Sequence, residues 1–309
     1  MENDRVTLEQ IRIFVAIAER QHVTATARAL NLTQSAVSNA LAALEERHAV
    51  RLFDRVGRGI VLNGIGRTFL VEARAVLARA ALAEAALADL SGLRRGTLRV
   101  FASQTIVGYW LPRRLVRFHQ SYPGIELSVE AGNTREVANA VLDGRCELGL
   151  AEGEVENAGL ERRPVGEDRL LVLARPSHPL ARRDAVRSEA LLEEAWIMRE
   201  AGSGTRSTLE SALRAAGHDP SALRVRMVLP SNEAVLGAVQ AGGGVAALSE
   251  QVARSALAAG HVAAIRFALP ARPFHLLRHR EHYRTRAANA FAALLESFPE
   301  EEAVAPVSP

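Results

Sequence analysis

The chain has 309 residues, 48% hydrophobic and 24% charged, with a formal net charge of +3. That balance suits packed globular domains, about two to three of them, and is too mild to argue for nucleic acid by charge alone. All 38 basic side chains are arginine and there is one cysteine, Cys146. Schiff-base lysine chemistry, a phosphate-loop lysine, an intrachain disulfide and a cysteine-based zinc site are therefore excluded.

The opening residues, MENDRVTLEQ, are acidic and polar and do not read as a signal peptide. No run of about 18 apolar residues reads as a membrane span, so a cytoplasmic location is expected. Residues 8–20 place Leu8, Ile11, Phe14, Val15 and Ala18 on one helical face. A short second helix is expected over 23–30, a break at Asn31-Leu32, and a third helix over 34–47 with Thr33 as its N-cap. Ala36, Val37, Ala40, Leu41 and Leu44 have core spacing on that third helix. The three or four residues between helices two and three have the length of a helix-turn-helix turn. Two short apolar runs about the turn Asp54 to Gly59 then read as a small hairpin, or wing.

Thr33, Gln34, Ser35 and Ser38 crowd the front of the third helix, where packing gains nothing from them. In a helix-turn-helix, the first residues of the second helix reach base edges in the major groove. Gln34 can pair with adenine, and Ser35 and Ser38 can donate or accept. Arg28 before the turn and Arg55 and Arg58 on the wing are candidate phosphate or minor-groove contacts. The bland alternative is that Thr33 only caps and the arginines are solvated. Residues 1–67 hold nine arginines and seven acids, so affinity must come from placement and from several subunits acting together.

One long helix is expected from Gly64 to Leu90. Phe69, Ala73, Val76, Ala80, Ala83, Leu87 and Leu90 alternate four and three apart, a heptad seam suited to pairing with a second copy. A linker follows at 91–96. Beyond it, short apolar runs at 98–102, 125–130, 148–151, 170–174, 196–198, 224–228 and 245–248 alternate with helical patterns at 109–121, 134–143, 205–216 and 233–241. Such alternation implies parallel α/β sheets. A last helix covers 285–297, and residues 299–309 form an acidic, proline-containing tail expected to be disordered.

Several polar residues fall at the ends of these strands and the starts of these helices. Ser103, Gln104 and Thr105 end the first strand; Ser203, Thr205 and Arg206 open one helix, and Ser231 and Asn232 open another. Hydroxyl and amide groups at helix N-termini bind small anions without needing net positive charge. Arg206 could add a charge-assisted bond. Glu152 follows the strand at 148–151, and an acid there would repel a dianion unless paired or turned away. The bland alternative is that each Ser and Thr is a helix cap. His178, His218 and His261 sit in loops without metal-ligand spacing, the cluster His275, His279 and His282 spans an arginine-rich strand and turn, no metal site or cofactor is expected, and Cys146 reads as a buried, inert thiol. No GxSxG, HExxH or cysteine–histidine pair supports catalysis, so an enzyme is not expected.

The sequences Leu8-Glu9-Gln10-Ile11-Arg12-Ile13-Phe14, Ala25 to Leu30, Gln34-Ser35-Ala36-Val37-Ser38, Leu44-Glu45 and Leu52-Phe53-Asp54-Arg55 together resemble the LysR-type transcriptional regulators. The resemblance extends over nearly the whole chain. It implies a winged helix-turn-helix, a dimerising linker helix and a two-lobed α/β effector domain like periplasmic binding proteins, an α+β multi-domain architecture. The implied divisions are residues 1–63, 64–91, a hinge at 92–96, and an effector domain at 97–298. Within the last, lobe I takes about 97–165 and 267–298 and lobe II about 166–266. It also implies a homodimer that assembles into a homotetramer on double-stranded promoter DNA, RNA polymerase as a candidate partner, and a small effector in the cleft where the polar residues above would converge. Residues 102–106, 199–206 and 231–233 are similar to the branch linked to cysteine and sulfite metabolism, which favours a sulfur oxyanion. Two other readings stand beside this one: a regulator without a small-molecule effector, and a small-molecule-binding protein or enzyme of the α/β class, which would need none of the first 66 residues.

Overall fold

The computed structural model describes residues 5–57, 59–90 and 96–298, without the side chains of 88–90. Arg58, most of the 92–96 hinge and the 299–309 tail lie outside the described residues. The chain forms two compact units, one through Leu87 together with Asp143–Arg145 and one of the other residues from Ala88 onward.

The first unit is built on α1 (Leu8–Arg20), α2 (Val23–Ala29) and α3 (Gln34–Arg47). A capping box fixes the start of α1: the Gln10 N–H donates to the Thr7 hydroxyl (3.2 Å), and the Thr7 N–H donates to the Gln10 side chain (3.1 Å). Ile11, Phe14, Val15 and Ala18 are buried as expected, and Ile13, Ala16 and Ile17 are buried too, so α1 is the central helix of this unit. Leu8 departs from the pattern: it is 53% exposed. Thr26 on α2 is fully buried and donates to the carbonyls of His22 (3.0 Å) and Ala16 (3.3 Å), tying α2 to α1. The turn into α3 places Asn31 at φ 55°, a left-handed conformation that asparagine tolerates better than most residues. On α3, Val37 and Leu44 are buried and Ala40 and Leu41 are half-buried, but Ala36 is exposed.

Two antiparallel strands, β1 (Phe53–Val56) and β2 (Gly59–Leu62), form the wing, in register from Phe53 opposite Leu62 to Val56 opposite Gly59. Gly57 takes φ 58°, as a tight two-residue hairpin turn requires. The base of the wing is fixed by Glu45, a buried carboxylate on α3. It accepts the Leu52 N–H (2.7 Å) and the Arg51 guanidinium (2.9 Å). Hydrogen bonds of this charge-assisted kind are the strong ones.

The long helix α4 (Gly64–Leu90) begins under the wing. Asn63 accepts the Gly66 N–H (2.9 Å) and donates to the Arg51 carbonyl (2.9 Å). A Cβ at Gly66 would stand 2.1 Å from the Leu52 carbonyl oxygen, so backbone meets backbone there. The heptad seam divides. Phe69 and Ala73 join the unit's own core, with the Phe69 ring centroid 4.8 Å from that of Phe14. Ala80 is half-buried, while Val76, Ala83 and Leu87 are exposed, Leu87 at 70%. A heptad stripe is apolar on one side whatever covers it, so its first turns serve the chain's own core rather than a second copy.

The second unit holds three sheets among its described residues, one of five strands in lobe I and one of three and one of two strands in lobe II. Lobe I contains β3 (Gly96–Ser103), a short π-helical segment (Ile106–Trp110), α5 (Leu111–Ser121), β4 (Ile125–Gly132), α6 (Thr134–Leu142), β5 (Leu148–Glu152) and β6 (Leu160–Asp168). Lobe II contains β7 (Leu170–Ala174), α7 (Ser188–Leu192), β8 (Ala195–Arg199), α8 (Gly204–Ala215), β9 (Arg224–Leu229), α9 (Asn232–Gln240), β10 (Ala246–Ser249), α10 (Glu250–Ala258) and β11 (Ala263–Ile265). The chain then returns to lobe I through β12 (Arg272–His279) and ends in α11 (Arg286–Ser297).

The lobe I sheet runs β4-β3-β5-β12-β6. β3 pairs parallel with β4 and β5, but β12 is antiparallel to β5 and β6. The sheets are therefore mixed rather than parallel. The returning chain enters lobe I from the opposite end and slots between two existing strands. In lobe II, β7 lies antiparallel between β10 and β11, and β8 pairs parallel with β9. Phe118, Phe274 and Phe291 are fully buried in lobe I, and Trp196 in lobe II. Cys146 is 4% exposed, packed with Phe101, Val137 and Leu277. Among the described residues, no helix is long and apolar enough to cross a membrane.

Candidate DNA-reading surface and effector cleft

The front of α3 is polar and open. Thr33 is spent on the helix itself: its hydroxyl accepts the Ala36 N–H (3.1 Å) and meets the Ser35 hydroxyl at 3.0 Å. This is the capping role, so Thr33 is a positioning residue for the helix start. Gln34, Ser35 and Ser38 are exposed, and so is Ala36 beside them, giving a low, polar edge that can approach a groove closely. Arg28 on α2 and Arg55 on β1 are also exposed. The N–H groups of the first α3 turn add a partial positive charge on this side.

In the second unit, the ends of β3 and β5 meet the starts of α8 and α9. Ser103 is 1% exposed and donates to the carboxylate of Glu152, itself 3% exposed. Glu152 lies 3.6 Å from Arg272, which is 2% exposed and makes two bonds to Asp168, at 3.0 and 2.6 Å. Arg272 also donates to the Thr205 hydroxyl (3.1 Å), and Ser249 donates to the other Asp168 oxygen (2.7 Å). One buried guanidinium thus joins lobe I (Ser103, Glu152) to lobe II (Thr205, Ser249). The acid at 152 is paired, which removes much of its repulsion toward an anion.

A second bridge runs through Asn232. Its amide oxygen accepts from Arg199, and its amide nitrogen donates to the Thr105 hydroxyl (3.2 Å). The two partners fix which way the amide points. Arg199, 4% exposed, is also held by Glu200 at 2.8 and 2.9 Å. Gln104 accepts the Asn232 N–H (3.3 Å) and donates to the Pro230 carbonyl (2.8 Å). On the other side of the cleft, Arg135 donates to the Ala201 carbonyl (2.9 Å). Gly204 is a site of close approach: a Cβ there would lie 2.1 Å from the Glu152 carbonyl oxygen and 2.6 Å from the Thr134 hydroxyl.

These contacts sort the expected effector residues. Ser231 caps α9 by accepting the Ala234 N–H (3.1 Å), the bland role. The Arg206 guanidinium is bound to Glu210 (2.7 Å) and to the Arg199 carbonyl (3.3 Å). The buried charges there are Arg199 and Arg272, which no local spacing had singled out. Ser203 differs from the capping residues of α3, α9, α10 and α11. It sits at the N-cap of α8, 3% exposed, and makes no capping bond to the helix.

Comparison with known proteins decides the family. Residues 8–67 match the bacterial regulatory helix-turn-helix protein, lysR family, and residues 91–299 match the LysR substrate binding domain. The chain belongs to the LysR family of transcriptional regulators. It is a DNA-binding regulator with an effector-binding domain, and it is not an enzyme.

This LysR-family regulator is 35% identical to YeiE of Escherichia coli (strain K12), described as an uncharacterized HTH-type transcriptional regulator, over 93% of this chain and 96% of that protein. It is 33% identical to the RuBisCO operon transcriptional regulator of Allochromatium vinosum, over 79% and 80%. Neither relative is named for sulfur metabolism. Among solved structures, full-length CbnR complexed with its target DNA has the same fold, with TM-score 0.67, 21% identity, and 94% and 98% coverage. The regulatory domain of CcmR from Synechocystis PCC6803, solved in complex with 2-PG, is 29% identical, with TM-score 0.62, over 67% of this chain and 99% of that one.

Proposed function

We propose that this regulator reads promoter bases with Gln34, Ser35 and Ser38, with Arg28, Arg55 and Arg58 on phosphates or the minor groove. It assembles through the exposed part of α4 as a dimer and then a tetramer. A small anionic effector in the interlobe cleft modulates its action on DNA. The observation that carries the effector reading is Ser203: a buried hydroxyl that leaves the start of α8 without a side-chain cap, two residues from Thr205, which the buried Arg272 bonds. Uncapped helix N–H groups favour an anionic oxygen. The relative solved with 2-PG supports a small acid as the class. A sulfur oxyanion is the member that the resemblance at 102–106, 199–206 and 231–233 favours. An anion that binds one lobe arrangement better shifts the angle between lobes and so the spacing of the DNA-binding pairs.

A second reading, regulation without a small-molecule effector, is favoured by one observation. Ser103, Thr105, Glu152, Thr205 and Asn232 are each already bonded within the chain. A thermal-shift panel separates the two, using sulfite, sulfate, thiosulfate, phosphorylated short acids and aromatic acids. At about 100 times its Kd a ligand adds about 2.7 kcal/mol, a clear rise in Tm. The effector reading expects one anion class to raise Tm in the native protein and not in Ser203→Ala. No rise with any anion moves the balance to the second reading.

A further inference from the structure

The two lobes touch through two sets of contacts of different make. In one, backbone meets backbone: the Arg135 N–H donates to the Gly202 carbonyl (3.2 Å), and a Cβ at Gly153 would stand 3.0 Å from the Gly204 Cα. Arg135 adds its guanidinium on the Ala201 carbonyl, and the Ser211 hydroxyl donates to Glu154 (2.9 Å). In the other, the bonds run through lobe I side chains gathered about the start of α9. Gln104 holds the Pro230 carbonyl and the Asn232 N–H, Thr105 holds the Asn232 amide, and the Tyr109 phenol donates to the Glu233 carboxylate (3.3 Å). Tyr109 and Glu233 are the exposed pair of this set, while Thr105 and Asn232 are buried.

Tyr109 lies on the π-helical segment Ile106–Trp110, where the Leu111 N–H reaches back five residues to the Ile106 carbonyl. Such wide turns hold one residue more than an α-helical turn and recur at functional sites. A Cβ at the neighbouring Gly108 would meet open space, so nothing packs on the outer side of the segment there. Burial first, and then the Glu233 carboxylate, raise the Tyr109 pKa above its ordinary 10.0, so the phenol keeps its proton and is the donor.

We propose that Tyr109 and Glu233 form the gate of the interlobe cleft: the effector enters and leaves where this pair parts, while the Arg135 contact stays closed. The gate rests on the reading that the cleft takes an effector. Exposed side-chain bonds open at little cost because water replaces the lost partner, whereas the contact at Gly202 and Gly204 has no side chain to rotate away. Behind the gate stand Thr105 and the Asn232–Arg199 pair, the first buried polar groups that its opening would uncover.

Hydrogen exchange of the full chain, read at single amides by mass spectrometry, tests this without a ligand. Two N–H groups report the two contacts: Asn232, bonded to Gln104, and Arg135, bonded to Gly202. Tyr109→Phe and Glu233→Ala should each speed exchange at Asn232 by about threefold to tenfold, the effect of one exposed hydrogen bond, and leave Arg135 unchanged. The double variant should be no faster than either single one, and Glu233→Gln, which still accepts from the phenol, should keep the native rate. An unchanged rate at Asn232 overturns the gate, and so does equal acceleration at Asn232 and Arg135, which would make opening a motion of the whole lobes. Additive effects of the two substitutions overturn the pairing. With no effector present, failure here is separate from failure of the effector reading, which the thermal-shift panel decides.

Discussion

Arg272 and Asp168 are cross-strand partners, the first residue of β12 opposite the last of β6, and their side chains share two hydrogen bonds at 3.0 and 2.6 Å. The pair sits where the chain crosses between lobes and is almost fully buried. Such a pair adds little net stability, because desolvation offsets the attraction, but removing one member strands the other charge. Arg272→Met should destabilise the effector domain by about 3–5 kcal/mol, and Arg272→Met with Asp168→Leu by markedly less. Urea unfolding of the three proteins measures this. Equal losses for the single and double variants would rule out the charge-stranding account.

The front of α3 should behave as a base reader. Gln34→Ala or Ser35→Ala is expected to weaken operator binding by about 1–3 kcal/mol and to relax sequence preference. Arg55→Ala is expected to weaken all sequences alike and to flatten the salt dependence. Competition gel shifts with operator and scrambled DNA at two salt concentrations distinguish the two patterns. Unchanged selectivity in Gln34→Ala would take that residue out of base reading.

The divided seam of α4 makes a positional prediction. Val76→Glu or Leu87→Glu should dissociate the oligomer and leave folding of the first unit intact, since both residues are exposed on the single chain. Phe69→Ala should instead unfold that unit, costing about 3–5 kcal/mol for a lost core aromatic. Sedimentation together with far-UV circular dichroism reads both effects. An intact tetramer in Leu87→Glu would reject the seam.

His275 gives the effector domain a pH dependence. It lies on β12 opposite Pro164 of β6, and its buried Nδ1 has no hydrogen-bond partner among the described residues. Burial first, and then the Arg162 guanidinium, hold its pKa below the ordinary 6.5. The unfolded chain therefore takes up the proton more readily than the folded one. Stability contributed by the neutral ring is complete above 6.5 and is lost as pH falls through the depressed folded value. The drop in Tm between about pH 7.5 and about pH 5.5 should be smaller in His275→Phe than in the native protein. A drop of the same size in both would assign the dependence to other groups.

Much of this was legible in the sequence, for physical reasons that can be named. The three N-terminal helices announce themselves because a 3.6-residue apolar period, the break at Asn31 and the cap at Thr33 mark them within a few residues of chain. The short strands at 148–152 and 170–174 are apolar runs bounded by polar residues. What stayed hidden depends on distant pairing. Arg272 and Arg199 lie among 38 arginines, and only the fold selects them, by bringing residues 152, 168, 205 and 232 to their side chains. The antiparallel insertion of β12 was invisible because a strand's local pattern does not encode its neighbour's direction. The α4 stripe misled because apolar spacing records that a face is covered, not by what. Ser203 and Ser231 read alike, yet one caps its helix and the other does not.

The junction of wing and α4 has a mechanical consequence. With Asn63 bonded to both and Gly66 letting the helix backbone rest on Leu52, the hairpin has no slack against the helix start. A helix of 27 residues is about 40 Å long, so a tilt of about 5° at the wing corresponds to about 3–4 Å at its far end. The two behave as one stiff lever. A displacement of a few ångströms at the long arm corresponds to a small change of pitch in the wing.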